Sequence, residues 1–175
     1  VGLPGDRFYG PVTLGEGTWA PYTGSVMAID PSGRGADETA YAVVKILNGF
    51  LFVTDAGGLP GGYSEDTLKR LAMVAKEQEV NLILVESNFG DGMFSQLLKP
   101  ILGKIYRCTC EEIKHSIQKE RRICDTLEPP MNSHRLIINR SVIEKDFDST
   151  KGLPPEKALR YQLMYQMSRI TRDKG

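Results

Sequence analysis

Two acids stand where their charge could do chemistry. Asp30 closes the apolar run Ser25-Val26-Met27-Ala28-Ile29, and Glu86 closes the run 80–85, in which Asn81 is the one polar residue. Short apolar runs of this kind read as buried strands. An acid at the end of each delivers a carboxylate to the edge of a sheet. Two carboxylates brought close repel unless a cation lies between them. Their hard oxygens suit Mg²⁺ or Mn²⁺ better than zinc. Two such ions, about 3.5–4 Å apart, can activate a water and stabilise a leaving oxygen, as phosphodiester cleavage requires. Either acid alone reads equally as a strand cap or as half of a surface ion pair. As a pair, each the lone charge of its strand, they argue for a metal site.

Other residues bear on the same chemistry. Gly33 and Gly35 flank Arg34 just after Asp30. Glycines let backbone amides approach a phosphate, though a tight turn explains them equally. Asp37 is a candidate third carboxylate, or simply part of that turn. Between residues 99 and 122 there are seven Lys and Arg against three acids, with Lys114, Lys119, Arg121 and Arg122 expected on one helix. A basic helix beside a metal site would hold a phosphate backbone without reading sequence. An ordinary solvated face is the alternative for any one of them. Cys108 and Cys110 are spaced C-x-C and Cys124 stands alone, which is not zinc spacing, so all three read as buried apolar residues. Two histidines, His115 and His134, offer no Ser-His-Asp order, and no P-loop motif occurs.

These residues need elements to hold them. The chain has 175 residues, 41% hydrophobic and 25% charged, which suits about one globular domain. No apolar run approaches the roughly 20 residues of a membrane helix. Three sparse cysteines argue against a disulfide scaffold and favour a reducing compartment. Net charge is zero but uneven: residues 1–98 hold six Lys and Arg against twelve acids, and residues 99–175 hold sixteen against ten. Carboxylates for cations and Lys/Arg for phosphates would use such a division.

Residues 1–24 are rich in Gly and Pro and begin without Met, so they read as an N-terminal arm or linker in a piece of a longer protein, with Trp19 and Tyr22 anchoring it. Residues 25–175 read as the domain. Strands are expected at 25–30, 39–47 and 50–54, the last two joined by the hairpin turn Asn48-Gly49. The spacing then predicts a helix capped by Ser64 and ending near Glu79, a strand at 80–86, a helix at 93–102 and a strand at 105–110. A helix at 111–127 stopped by Pro129-Pro130, an extended segment at 136–138, a helical turn or two at 141–147, and a last helix from Pro154 to about Arg172 complete the chain. This is α/β in the RNase H-like order: a mixed five-stranded sheet, antiparallel in its first three strands and parallel beyond, with helices on both faces.

The residues from Val26 through Asp30-Pro31-Ser32-Gly33-Arg34-Gly35 to Tyr41 resemble the nuclease domain of the large terminase subunit of short-tailed, podovirus-type bacteriophages. Leu84-Val85-Glu86-Ser87 through Gly92 and Thr126-Leu127-Glu128-Pro129-Pro130 through Leu136 extend the resemblance over nearly the whole chain from Tyr22. The resemblance implies the genome-packaging motor. An ATPase domain of the same polypeptide drives DNA into a procapsid, and an RNase H-like endonuclease cuts the concatemeric double-stranded DNA. It implies Asp30 bridging two Mg²⁺ or Mn²⁺ ions and Glu86 binding one. The third acid is expected beyond Gly175, and Asp146 and Asp148 do not match it. A small terminase subunit, the portal and the procapsid are the implied partners, and the host cell cytoplasm the place. No base-reading motif is present, so cutting is expected to be largely independent of sequence. A Holliday-junction resolvase or RNase H would share these acids, and a non-catalytic DNA or portal docking module would share the fold without metal dependence.

Overall fold

The computed structural model describes residues 20–32, 37–87 and 92–172. Within them the elements run β1 (Gly24–Asp30), β2 (Thr39–Leu47), β3 (Phe50–Leu59), α1 (Glu65–Glu77), β4 (Leu82–Glu86), α2 (Met93–Ile105), β5 (Thr109–Ile113), α3 (Lys119–Asn132), β6 (Leu136–Ile138), α4 (Arg140–Ser149), α5 (Pro155–Tyr161) and α6 (Leu163–Arg169). Among the described residues six strands form one sheet in the order β5-β4-β1-β2-β3-β6. The meander β1-β2-β3 is antiparallel, β4 and β5 run parallel to β1, and β6 runs parallel to β3. The expected five-stranded mixed sheet is thus present, with Leu136–Ile138 added as a sixth strand on the β3 edge.

Strand alternation decides which face is covered. In β1, Ser25, Met27 and Ile29 are buried while Ala28 is exposed and Asp30 half-buried. Met27 and Ile29 join Tyr41, Val43, Ile83 and Val85 in one apolar cluster with Leu68, Leu71, Ala72 and Ala75 of α1 and Phe94, Leu98 and Leu102 of α2. Helices α1 and α2 therefore cover that face. Asp30 and Glu86, out of phase with the buried residues of their strands, belong to the other one. No residue of α3 is buried.

Local chemistry explains the boundaries that agree. Ser64 accepts the backbone N–H of Thr67 and caps α1, with Glu65 and Asp66 in the first turn. Asn48 and Gly49 both take positive φ (49° and 77°), so Leu47 and Phe50 pair directly across the turn.

Other boundaries moved, each for a tertiary reason. Strand β3 continues through Gly57 and Gly58, which were expected in a loop, after a bulge opposite Val43 and Val44. A Cβ on Gly58 would lie 2.1 Å from a carboxylate oxygen of Glu38, whose exposed side chain would have to move aside. Helix α2 passes Gly103, where a Cβ would meet nothing within 4 Å, and takes in Ile105. Strand β5 is consequently later than expected, because Glu111, Glu112 and Ile113 pair with Leu84, Val85 and Glu86 and satisfy the β4 edge. Helix α3 then starts at Lys119 instead of Glu111 and contains both prolines. Their missing N–H groups fall near the helix end. The Pro129 carbonyl accepts Ser133 N–H at 3.1 Å and Ser133 Oγ–H at 2.8 Å.

The expected last helix breaks into α5 and α6 at Gln162, which is extended (φ −84°, ψ 122°). The Asp146 carboxylate accepts the N–H of Leu163 at 2.7 Å and of Met164 at 3.0 Å. A carboxylate from α4 thus caps α6, and no local sequence signal announces it. Asp146→Ala leaves two part-buried N–H groups open and should lower unfolding free energy by about 1–2 kcal/mol in a urea titration.

Candidate active site

Strands β1 and β4 are parallel neighbours in register, Ile29 beside Val85. The next residue in each is an acid, so Asp30 and Glu86 emerge side by side at the carboxyl edge of the sheet. That edge is where open α/β sheets place ligands. The same register step sets Ile113 of β5 beside Glu86, and the Ser87 N–H donates to the Ile113 carbonyl at 2.9 Å, holding the end of β4 in place.

Two cations from one helix meet these acids. Lys119 Nζ donates to Asp30 Oδ2 at 2.6 Å, and an Arg122 guanidinium nitrogen donates to Glu86 Oε1 at 2.9 Å. Residues three apart share a helix face, so the first turn of α3 presents both together. The two pairs differ in burial. The Lys119 and Asp30 side chains are 57% and 39% exposed, whereas Arg122 and Glu86 are 20% and 12% exposed. The first is a solvated pair of small energetic weight. The second is partly desolvated, and removing one member strands the other.

The remaining candidates fall outside this pairing. Arg121 faces Asp125 at 3.8 Å, in register with a helix turn, and Arg172 also reaches Asp125 and Glu128. Lys114 is exposed in the connection before α3 rather than on the helix, because β5 takes the residues expected to start it. Asp37 is exposed two residues before β2. Arg34, with Gly33 and Gly35, lies outside the described residues, as do Trp19 and most of the arm. Tyr22 does pack edge-on to Phe52 at 5.3 Å between ring centres, beneath Lys45.

The donor set suits a hard divalent cation. Two carboxylates converge from rigid strands, and each already draws a positive group to it. Among the described residues no cluster of three or more His, Cys, Asp or Glu could hold a metal ion. Cys108 and Cys110 pack against the apolar cluster, and burial pushes both thiols up, away from the thiolate that zinc needs.

Sequence reasoning missed a second polar cluster. Lys145 Nζ of α4 donates to Asp55 Oδ1 at 2.6 Å and to Tyr41 Oη at 2.7 Å. Burial pulls the Lys145 ammonium down, but the hydrogen bonds and charges of Asp55 and Tyr41 outweigh it and the net shift is upward. Burial pushes the Tyr41 hydroxyl up. The cluster moors α4 to the sheet on the α1 side, and only the long separation in sequence hid it.

Comparison with known proteins agrees with the fold and shows the family. The model of the bacteriophage T7 terminase ribonuclease H-like domain matches residues 29–136, a span that includes Asp30, Glu86 and all of α3. The terminase large subunit of Enterobacteria phage T3 is 45% identical over all 175 residues, and the chain spans 30% of that relative's length. The terminase nuclease domain of human cytomegalovirus, in a manganese-soaked and inhibitor-bound structure, superposes with a TM-score of 0.57 at 11% identity, covering 86% of this chain and 75% of that one. The large terminase of the thermophilic bacteriophage D6E gives 0.53 at 12% identity, covering 81% of this chain and 35% of its own. These distant matches concern the fold, an RNase H-like sheet. By its sequence the chain belongs to the family of the bacteriophage T7 terminase ribonuclease H-like domain.

Proposed function

We propose that the chain is a metal-dependent endonuclease domain that cuts concatemeric double-stranded DNA for viral genome packaging, with little sequence preference. The observation that carries this reading is the emergence of Asp30 and Glu86 from adjacent parallel strands at one sheet edge, each facing a cation of α3. Asp30 and Glu86 would hold Mg²⁺ or Mn²⁺. Bound there, such ions would supply Lewis-acid activation of water and charge stabilisation at the leaving oxygen. Lys119 and Arg122, together with Lys114, Arg121 and Arg34, would hold the phosphate backbone without reading bases. The face that carries the acids includes exposed Ala28, which leaves room for a duplex to approach.

Family membership supports the reading, and so does the manganese in the human cytomegalovirus nuclease structure. A third acid would follow Gly175 if the resemblance holds there, so a longer chain belongs in the same assay. In the whole protein the partners would be an ATPase domain of the same polypeptide, a small terminase subunit and the portal or procapsid, in the host cytoplasm. The test is supercoiled plasmid with Mn²⁺ or Mg²⁺. Nicked and linear products are expected, lost on adding EDTA. Holliday junctions and RNA–DNA hybrids should be poorer substrates. DNA binding without cleavage, in either metal and by the longer chain as well, would mark a docking module instead.

A further inference from the structure

We infer that Lys119 and Arg122 are exchangeable counter-ions that couple metal entry to DNA binding. The inference rests on the metal-site reading above and goes beyond it. Lys119 neutralises Asp30 at 2.6 Å and Arg122 neutralises Glu86 at 2.9 Å. A divalent ion bound by the same two carboxylates would compete with both cations for their charge. Once displaced, the ammonium and the guanidinium remain at the sheet edge without their partners. A phosphodiester backbone is the polyanion that would take them up, and Arg suits phosphate by its planar fork.

The mobility this exchange needs is built into α3. None of its residues is buried, and its N-cap Gln118 makes no side-chain cap hydrogen bond. Its described ion pairs are the two active-edge pairs at its start and Arg172 on Asp125 and Glu128 further along, while Ile123, Leu127 and Pro130 are half-buried. The long side chains of Lys119 and Arg122 can turn to better partners without the helix moving. The exchange is graded. The exposed Lys119 pair yields readily, whereas the enclosed Arg122 pair keeps Glu86 compensated until an ion or a phosphate replaces one side. Each ligand thereby favours the other, and the coupling must be equal in both directions.

The test reads binding rather than cleavage. Free Mn²⁺ is counted by electron paramagnetic resonance in titrations of the DNA-free chain. Lys119→Ala should tighten Mn²⁺ binding about two- to five-fold, as expected for loss of a competing exposed ion pair. Arg140→Ala, which removes the same charge from the Glu144 pair without touching either acid, should change it less than about two-fold. Lys119→Arg should restore the wild-type affinity. In parallel, a labelled short duplex is titrated by fluorescence anisotropy with and without Ca²⁺. Ca²⁺ should raise duplex affinity in the wild type, and Lys119→Ala/Arg122→Ala should abolish that increase. Circular dichroism checks that the double variant is folded. If it is not, the single Lys119→Ala variant must at least halve the Ca²⁺ effect. Equal Mn²⁺ affinity in wild type and Lys119→Ala, or an unchanged Ca²⁺ effect, overturns the exchange while leaving the metal site standing. No Mn²⁺ binding by any folded form overturns the metal site itself.

Discussion

Asp30→Asn is expected to reduce metal-dependent plasmid cleavage by at least about 10³-fold while leaving the protein folded. Asparagine keeps the size and shape of the side chain and removes its charge. A neutral amide oxygen is a poor ligand for the divalent ions proposed at this edge. The stability cost is small because Asp30 and its partner Lys119 are both well exposed. Breaking such a pair changes unfolding free energy by under about 1 kcal/mol. Glu86→Gln should also abolish cleavage but is the poorer test. Glu86 and Arg122 are largely enclosed, so the amide leaves an uncompensated guanidinium and about 1–3 kcal/mol of stability goes with it. The measurement is initial cleavage rate in Mn²⁺ beside a urea titration of each variant. An Asp30→Asn protein with wild-type stability and undiminished cleavage would remove Asp30 from the site.

The second large effect is on the frame. Leu71→Ala should cost about 3–4 kcal/mol, from the lost transfer energy of the side chain and the cavity it leaves. Leu71 has no exposed surface and lies in the cluster that joins α1 to Met27, Ile29, Ile83 and Val85. A domain's whole stability is typically about 5–15 kcal/mol, so this single truncation removes a large share. The urea midpoint should fall with the slope unchanged, since the surface exposed on unfolding is nearly the same. Met73, two residues along and 40% exposed, is the control, and Met73→Ala should stay within about 0.5 kcal/mol. The effect reaches function through position. Ile29 and Val85, which that cluster buries, are the residues immediately before the two acids. Leu71→Ala should therefore cleave normally well below its melting temperature and lose cleavage at the new, lower melting point.

The two predictions separate what was legible in the chain from what was not. Asp30 and Glu86 could be found because each is a lone charge ending an apolar run, a pattern local to about six residues. The Asn48-Gly49 turn and the Ser64 cap were equally local, and both stand where expected. The shifts of β5 and α3 were not readable. Residues 105–113 carry apolar and polar positions compatible with helix end or strand, and it is the open edge of β4 that selects Thr109–Ile113. The split between α5 and α6 depends on Asp146, sixteen or more residues away in sequence from the N–H groups it caps. The mooring of α4 depends on Lys145 reaching Tyr41 and Asp55, some ninety residues or more back.

The same division runs through the site. Residue types and short-range pattern determined the RNase H-like order of elements, the two acids and the basic stretch that follows them. Those signals act through periodicity, capping and turn geometry, which neighbouring residues carry by themselves. Only the folded chain decided that the acids share one edge on the face away from α1 and α2. It alone decided that Lys119 meets Asp30 and Arg122 meets Glu86, while Arg121 turns to Asp125 and Lys114 stays in a loop. Which cation faces which carboxylate is set by where α3 begins and how β1 and β4 align. Both follow from long-range pairing that no local window contains.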